Sequence, residues 1–192
     1  MKNKVSCTAN KYAIGPEFTG PDELMRLGER IEHLKIGECI FTRKNVLVST
    51  VLGSCVSLTF YHRETGASGM FHSMLPDSSL AKNIRQECNY VNLAVTNILE
   101  RFKRLGIPPT ALEVKLFGGG NTLQAKEKYA VQEDLDIGRK NVEAARLAIA
   151  SRSMRIINED VQGGKGRKVV FYTRTGEVWV RYISSAQSGE DA

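Results

Sequence analysis

Between residues 37 and 75 the apolar residues recur at every second position, and that alternation constrains the fold more than any other feature of the chain. Runs rich in β-branched and aromatic residues at 40–42, 46–51, 55–61 and 68–75 predict four strands. Glu64-Thr65-Gly66 predicts a hairpin turn between the last two, with Gly66 supplying the positive φ such a loop needs. Gly53-Ser54 interrupts the apolar pattern just before Cys55, which predicts a sharp bend at that point.

The remainder of the chain changes period. Pro21 and a capping Asp22 precede Leu24, Leu27, Ile31 and Leu34, whose spacing predicts a helix over 22–34. A longer helix is predicted over 83–105, its apolar face traced by Ile84, Cys88, Val91, Val95, Ile98, Leu99 and Phe102, with Gly106 and Pro108-Pro109 stopping it. On that face Cys88 reads as a buried packing thiol. A strand at 112–117 runs into Gly118-Gly119-Gly120, a helix follows at 136–151, and strands at 155–161, 167–174 and 178–183 close the pattern. This order predicts a mixed α/β fold with a largely antiparallel or mixed β-sheet and flanking helices. A doubly wound parallel sheet would need regular strand–helix alternation, which is not seen. Residues 1–35 read as an N-terminal extension with one short helix, 36–183 as the main domain and 184–192 as a polar tail.

Composition narrows the function. A chain of 192 residues can bury a core without staples. The net charge of +6 favours an acidic partner, but with 7% aromatic residues and no basic block interleaved with them, a nucleic-acid platform is not predicted. The opening residues lack an apolar stretch after Lys2 and Lys4, and the longest apolar region, 46–61, is broken by Ser, Thr, Gly and Cys. A cytoplasmic protein without direct membrane insertion is therefore expected, with its four cysteines as thiols. His33, His62 and His72 and the cysteines lack metal-ligand spacing, so no metal is predicted. Neither Phe117-Gly118-Gly119-Gly120 nor Gly163-Gly164-Lys165-Gly166-Arg167 matches a nucleotide fingerprint; both read better as tight turns or close backbone approaches.

A cysteine nucleophile with a histidine base needs nearness in space only. In the 55–61 strand Val56, Leu58 and Phe60 alternate with Cys55, Ser57 and Thr59, which puts Cys55 on the more polar face beside a bend that frees backbone N–H groups. His72 lies on the antiparallel return strand, whereas His62, at the strand end, is expected in solvent. On pattern alone these residues are either a Cys55–His72 dyad or a half-buried thiol and a satisfied core histidine.

Five segments, taken in order, resemble the CheD family of chemoreceptor glutamine deamidases. They are Leu52-Gly53-Ser54-Cys55-Val56, Gly69-Met70-Phe71-His72-Ser73-Met74-Leu75-Pro76, Lys115-Leu116-Phe117-Gly118-Gly119, Ile137-Gly138-Arg139-Lys140-Asn141 and Gly163-Gly164-Lys165-Gly166-Arg167. The resemblance implies a layered α/β fold and a cofactor-free cysteine hydrolase that converts glutamines of methyl-accepting chemotaxis receptors to glutamates through a thioester. It implies Cys55 as nucleophile, His72 as base, and backbone N–H groups at Ser54 and Cys55 as oxyanion donors. The third member is usually a threonine six residues before the cysteine; here that position is Ser49, with Thr50 adjacent. Phe117, Gly118, Gly119, Asn141, Gly163 and Gly164 are expected to shape a substrate cleft, or to serve as turns and caps. Receptor cytoplasmic domains and a CheC-type phosphatase are the implied partners. A non-catalytic regulator and a deamidase of other proteins are the alternatives.

Overall fold

Alternation is realised as two stacked sheets in the computed structural model, which describes residues 20–26, 28–79, 81, 84–121 and 136–183. The four-stranded sheet has the order β1 (Ile31–His33), β3 (Leu47–Leu52), β8 (Gly166–Tyr172), β9 (Val178–Ile183). The five-stranded sheet has the order β2 (Cys39–Thr42), β5 (Ser68–Phe71), β4 (Val56–Tyr61), β6 (Glu113–Gly118), β7 (Ile156–Val161). Each sheet contains one parallel pair, β1 with β3 and β6 with β7, and is otherwise antiparallel. The expected mixed, layered α/β architecture is thus present.

Burial explains the stacking. Val48, Leu52, Val169 and Phe171 of the four-stranded sheet meet Tyr61, Met70 and Phe117 of the five-stranded one. The opposite face of β4, with Val56, Leu58 and Phe60, packs on α2 (Val91–Arg104) and α3 (Ile137–Ala150). A smaller cluster of Leu24, Leu47, Val170 and Tyr172 puts α1 (Pro21–Arg26) on the outer face of the four-stranded sheet. A side chain such as Leu58 or Phe60, fully removed from water, contributes about 1.5–3 kcal/mol to holding these layers.

Three element boundaries depart from the sequence expectation. The helix predicted over 22–34 ends at Arg26, because Gly28 turns left-handed (φ 88°) and the Gly28 and Glu29 N–H groups close onto Met25 and Leu24 carbonyls. Ile31–His33 then forms β1, so the chain is knit into a sheet before residue 36. The helix predicted over 83–105 begins only at Val91, after a 3-10 turn at Glu87–Asn89; its expected start at Asn83 lies outside the described residues, and Ile84 is exposed. Cys88 is buried as expected. The strand predicted over 68–75 pairs regularly only to Phe71, after which His72 exchanges hydrogen bonds with Gly37 and Glu38, and Ser73 with Val56. Cys7 and the 184–192 tail lie outside the described residues.

Candidate active site

Cys55 follows the bend at the head of β4, half-buried against the cluster between the sheets. Two glycines mould that bend from beneath. The Gly119 N–H donates to Cys55 O at 2.8 Å and the Gly120 N–H to Gly53 O at 2.7 Å. Gly118 holds φ 105°, and a Cβ there would sit 2.2 Å from Cys55 O, so no larger residue fits without moving the Cys55 backbone.

His72 reaches the same intersheet space from the neighbouring strand. Thr59 pairs with Met70 and Val56 with Ser73, and this register sets Ser57 opposite His72. Cys55 and His72 are then diagonal neighbours on one face, a relationship that spans about 7–8 Å between backbones. His72 is buried at 3% exposure. Its Nδ1 lies 2.8 Å from Thr50 Oγ1, while its Nε2 is buried without a hydrogen-bond partner among the described residues.

Thr50 fixes the tautomer. Its hydroxyl carries one proton, which it donates to Leu34 O at 2.8 Å. Its oxygen therefore accepts from His72 Nδ1–H, and Nε2 is left with its lone pair free. This corrects the expectation for Ser49. On β3, Val48, Thr50 and Leu52 face the second sheet, and Ser49 points to the opposite face, where it cannot meet His72. The same alternation, visible in the sequence, is the signal that identifies Thr50.

Electrostatics favour an uncharged resting pair. Burial pushes the Cys55 thiol above its ordinary value, opposed in part by its own backbone N–H. Burial also lowers His72, opposed by the Leu34 carbonyl and the Glu38 carboxylate.

The expected cleft residues take other positions. Phe117, Gly118 and Gly119 are buried beneath the Cys55 bend, and Asn141 is wholly buried on α3, so these four support the candidate site from behind. Gly163 and Gly164 are exposed at the β7–β8 turn, where Gly163 O accepts from the Asn121 N–H. Ser54, adjoining Cys55 in the chain, and Met74, opposite it in the continued register, face solvent, the latter 41% exposed. His62, expected in solvent, is buried and bonds Thr65 Oγ1 through Nδ1, fastening the hairpin turn.

Arg167 was visible only as part of a glycine-rich segment. It lies between the sheets, 1% exposed, paired with Asp160 and donating to the Asp160 and Gln162 carbonyls. Its guanidinium also lies 5.6 Å from the centre of the Tyr182 ring. Pairing this charge across the gap holds β8 against β7 behind the Gly118–Gly120 bend.

The sequence matches the family described as CheD chemotactic sensory transduction over residues 74–182. It is also 42% identical to a probable chemoreceptor glutamine deamidase CheD of Oleidesulfovibrio alaskensis, over 86% of this chain and 79% of that one. The chain belongs to the CheD family. A probable chemoreceptor glutamine deamidase CheD of Nitratidesulfovibrio vulgaris is 41% identical over 95% of this chain and 91% of its own, an alignment that takes in positions 49–72. A CheD 2 protein of Geobacter sulfurreducens, given the same probable activity, is 36% identical over 81% of this chain and 92% of its own. Among solved structures, a Neisseria meningitidis protein of the DUF152 family aligns with a TM-score of 0.42 at 11% identity, over 74% of this chain and 66% of that one. No helix among the described residues of this CheD-family chain is long and apolar enough to cross a membrane.

Proposed function

We propose that this CheD-family enzyme deamidates glutamine side chains of chemoreceptors with Cys55 as nucleophile, His72 as general base and acid, and Thr50 as the group that orients the imidazole. The observation that carries the mechanism is the hydrogen-bond relay from His72 Nδ1 through Thr50 Oγ1 to Leu34 O, which leaves Nε2 free to accept a proton.

The reaction balances with these groups and water. Cys55 Sγ attacks the side-chain amide carbon while its proton passes to His72 Nε2. The Cys55 N–H, beside the sulfur, donates a hydrogen bond to the amide oxygen as negative charge grows on it. The C–N bond then breaks, the imidazolium gives its proton to the leaving ammonia, and a thioester remains. Water attacks the thioester carbon as Nε2 takes its proton; the C–S bond breaks, and glutamate and the Cys55 thiol are released.

Exposed Ser54 and Met74, adjoining Cys55 in the chain and in register, offer a backbone and an apolar side chain against which a receptor segment can lie. Receptor cytoplasmic domains are the substrate we infer, which places the enzyme at receptor signalling arrays in the cytoplasm. A CheC-type phosphatase is a further partner inferred from the family. The departure at Ser49 does not favour a non-catalytic regulator, because the adjacent threonine makes the required bond.

The test is incubation of a receptor cytoplasmic fragment with the protein and with Cys55→Ala, followed by peptide mass spectrometry. Each converted glutamine gains about one dalton, as amide becomes acid. Conversion by the parent and none by the variant is expected; equal conversion by both excludes Cys55 as nucleophile.

A further inference from the structure

We propose that Asn141 is a positioning residue that aims the oxyanion donor of this site, an assignment that rests on the deamidase reading with Cys55 as nucleophile. Asn141 has no exposed surface, and its Nδ2 donates to Ser54 O and to Met74 O, each at 3.0 Å. Both N–H bonds of the amide are thereby used. Reversing the amide would set its oxygen against two carbonyl oxygens, so the chemistry of the acceptors fixes its orientation.

The two acceptors are not interchangeable with others nearby. Ser54 O shares a peptide unit with the Cys55 N–H, and in a planar trans peptide the carbonyl and the N–H point in opposite directions. Holding Ser54 O inward turns the Cys55 N–H outward, toward the sulfur and the place where an amide oxygen becomes an anion. Among the described residues that N–H donates to no carbonyl. Met74 lies two residues beyond His72 and opposite Cys55 in the continued register. One side chain thus ties the nucleophile's peptide to the strand bearing the base.

The helix that carries Asn141 is itself seated on the same bend. Asp136 caps it by accepting from the Arg139 N–H at 2.9 Å. Gly138 lies so close to Gly119 that a Cβ would sit 2.6 Å from Gly119 O, while the Gly119 N–H holds Cys55 O. Among the described residues Asn141 Oδ1 is buried without a partner, a desolvation cost that an aliphatic residue at this place would not carry.

The test compares two reactions of one thiol in Asn141→Ala and the parent. Deamidation of a receptor fragment passes through an oxyanion; alkylation of Cys55 by iodoacetamide displaces iodide at a saturated carbon and does not. Mis-aiming the Cys55 N–H should lower kcat for deamidation by up to about 100-fold, with KM and the alkylation rate of Cys55, followed by peptide mass, close to the parent's. Unchanged deamidation overturns the proposal, and so does a parallel fall in both reactions, which would mark a general loosening. If Asn141→Ala does not fold, Asn141→Ser, which removes the forked amide but keeps a hydroxyl in the polar niche, is read in the same way. Failure of the parent itself to convert any receptor glutamine, with Cys55 still alkylated, overturns the deamidase reading and this assignment with it.

Discussion

Thr50 Oγ1 lies 2.8 Å from His72 Nδ1 although the two residues belong to different sheets. The bond crosses the gap between the layers, and the hydroxyl passes its own proton on to Leu34 O in the segment leading out of β1. Thr50→Val preserves shape and removes the relay, leaving a buried imidazole free to rotate or change tautomer. Deamidation should fall about 10- to 100-fold, less than the loss of the base itself, for which about 10²–10⁴-fold is typical. Thr50→Ser should restore most of the rate. Ser49→Ala, on the other face of the strand, should leave it near the parent value; a larger loss there than at Thr50 would overturn the assignment.

The depressed His72 and raised Cys55 set the pH dependence. Below the His72 pKa, itself under the ordinary 6.5, the base is protonated and activity is lost as pH falls. Above the Cys55 pKa, beyond the ordinary 9.0, the thiolate persists without an imidazolium to protonate ammonia, and activity falls again. A broad plateau of kcat/KM between these limits is expected. Alkylation of Cys55 that is already fast at pH 5 would instead indicate a preformed thiolate–imidazolium pair.

Cys39 is expected to react as a second thiol. A hydrogen bond from Cys88 pulls its pKa down to about 7, with Arg101 assisting against burial. Peptide mapping after brief iodoacetamide treatment at pH 7.5 should find Cys39 modified before Cys55, and Cys88, buried and pushed up by its neighbour, last. Preferential labelling of Cys88 would contradict this arrangement.

Arg167 tests the intersheet pairing. Arg167→Met strands Asp160 and two carbonyls, and the loss of one partner of a buried ion pair costs about 3–5 kcal/mol. Urea unfolding should show this as a lowered midpoint. Arg167→Met combined with Asp160→Leu should recover much of the loss, because no uncompensated charge is then buried.

Gly118→Ala should disable the site and destabilise the chain, since the added carbon would overlap Cys55 O. At Gly163, also left-handed (φ 78°), a Cβ meets nothing within 4 Å, so Gly163→Ala should cost only about 1 kcal/mol in backbone strain. Thermal unfolding together with the deamidation rate separates the two. Equal effects would mean that the contact beneath Cys55 is dispensable.

Much of this was legible in the sequence wherever local chemistry decided the outcome. Alternation marked β2, β3 and β4; the helix predicted from Asp136 is α3, and Gly66 and Gly106 announced their turns. What depended on a distant partner was not legible. Ile31–His33 carries a helical stripe but becomes a strand because β3 offers it an open edge. Counting back from Cys55 selected Ser49, whereas the pleat selects Thr50. Asn141 read as a cleft residue or cap, because nothing in its neighbourhood along the chain reveals that the Ser54 and Met74 carbonyls converge on it.

In the proposed mechanism the base and its orienting hydroxyl come from two layers, which makes turnover a gauge of alignment within the sandwich. A slide of one sheet past the other by half an ångström would leave every backbone ladder intact, yet would lengthen the Thr50–His72 contact beyond a good hydrogen bond. Loss of catalysis on warming should therefore run ahead of loss of secondary structure, with the enzyme falling silent while its circular dichroism still reads as native.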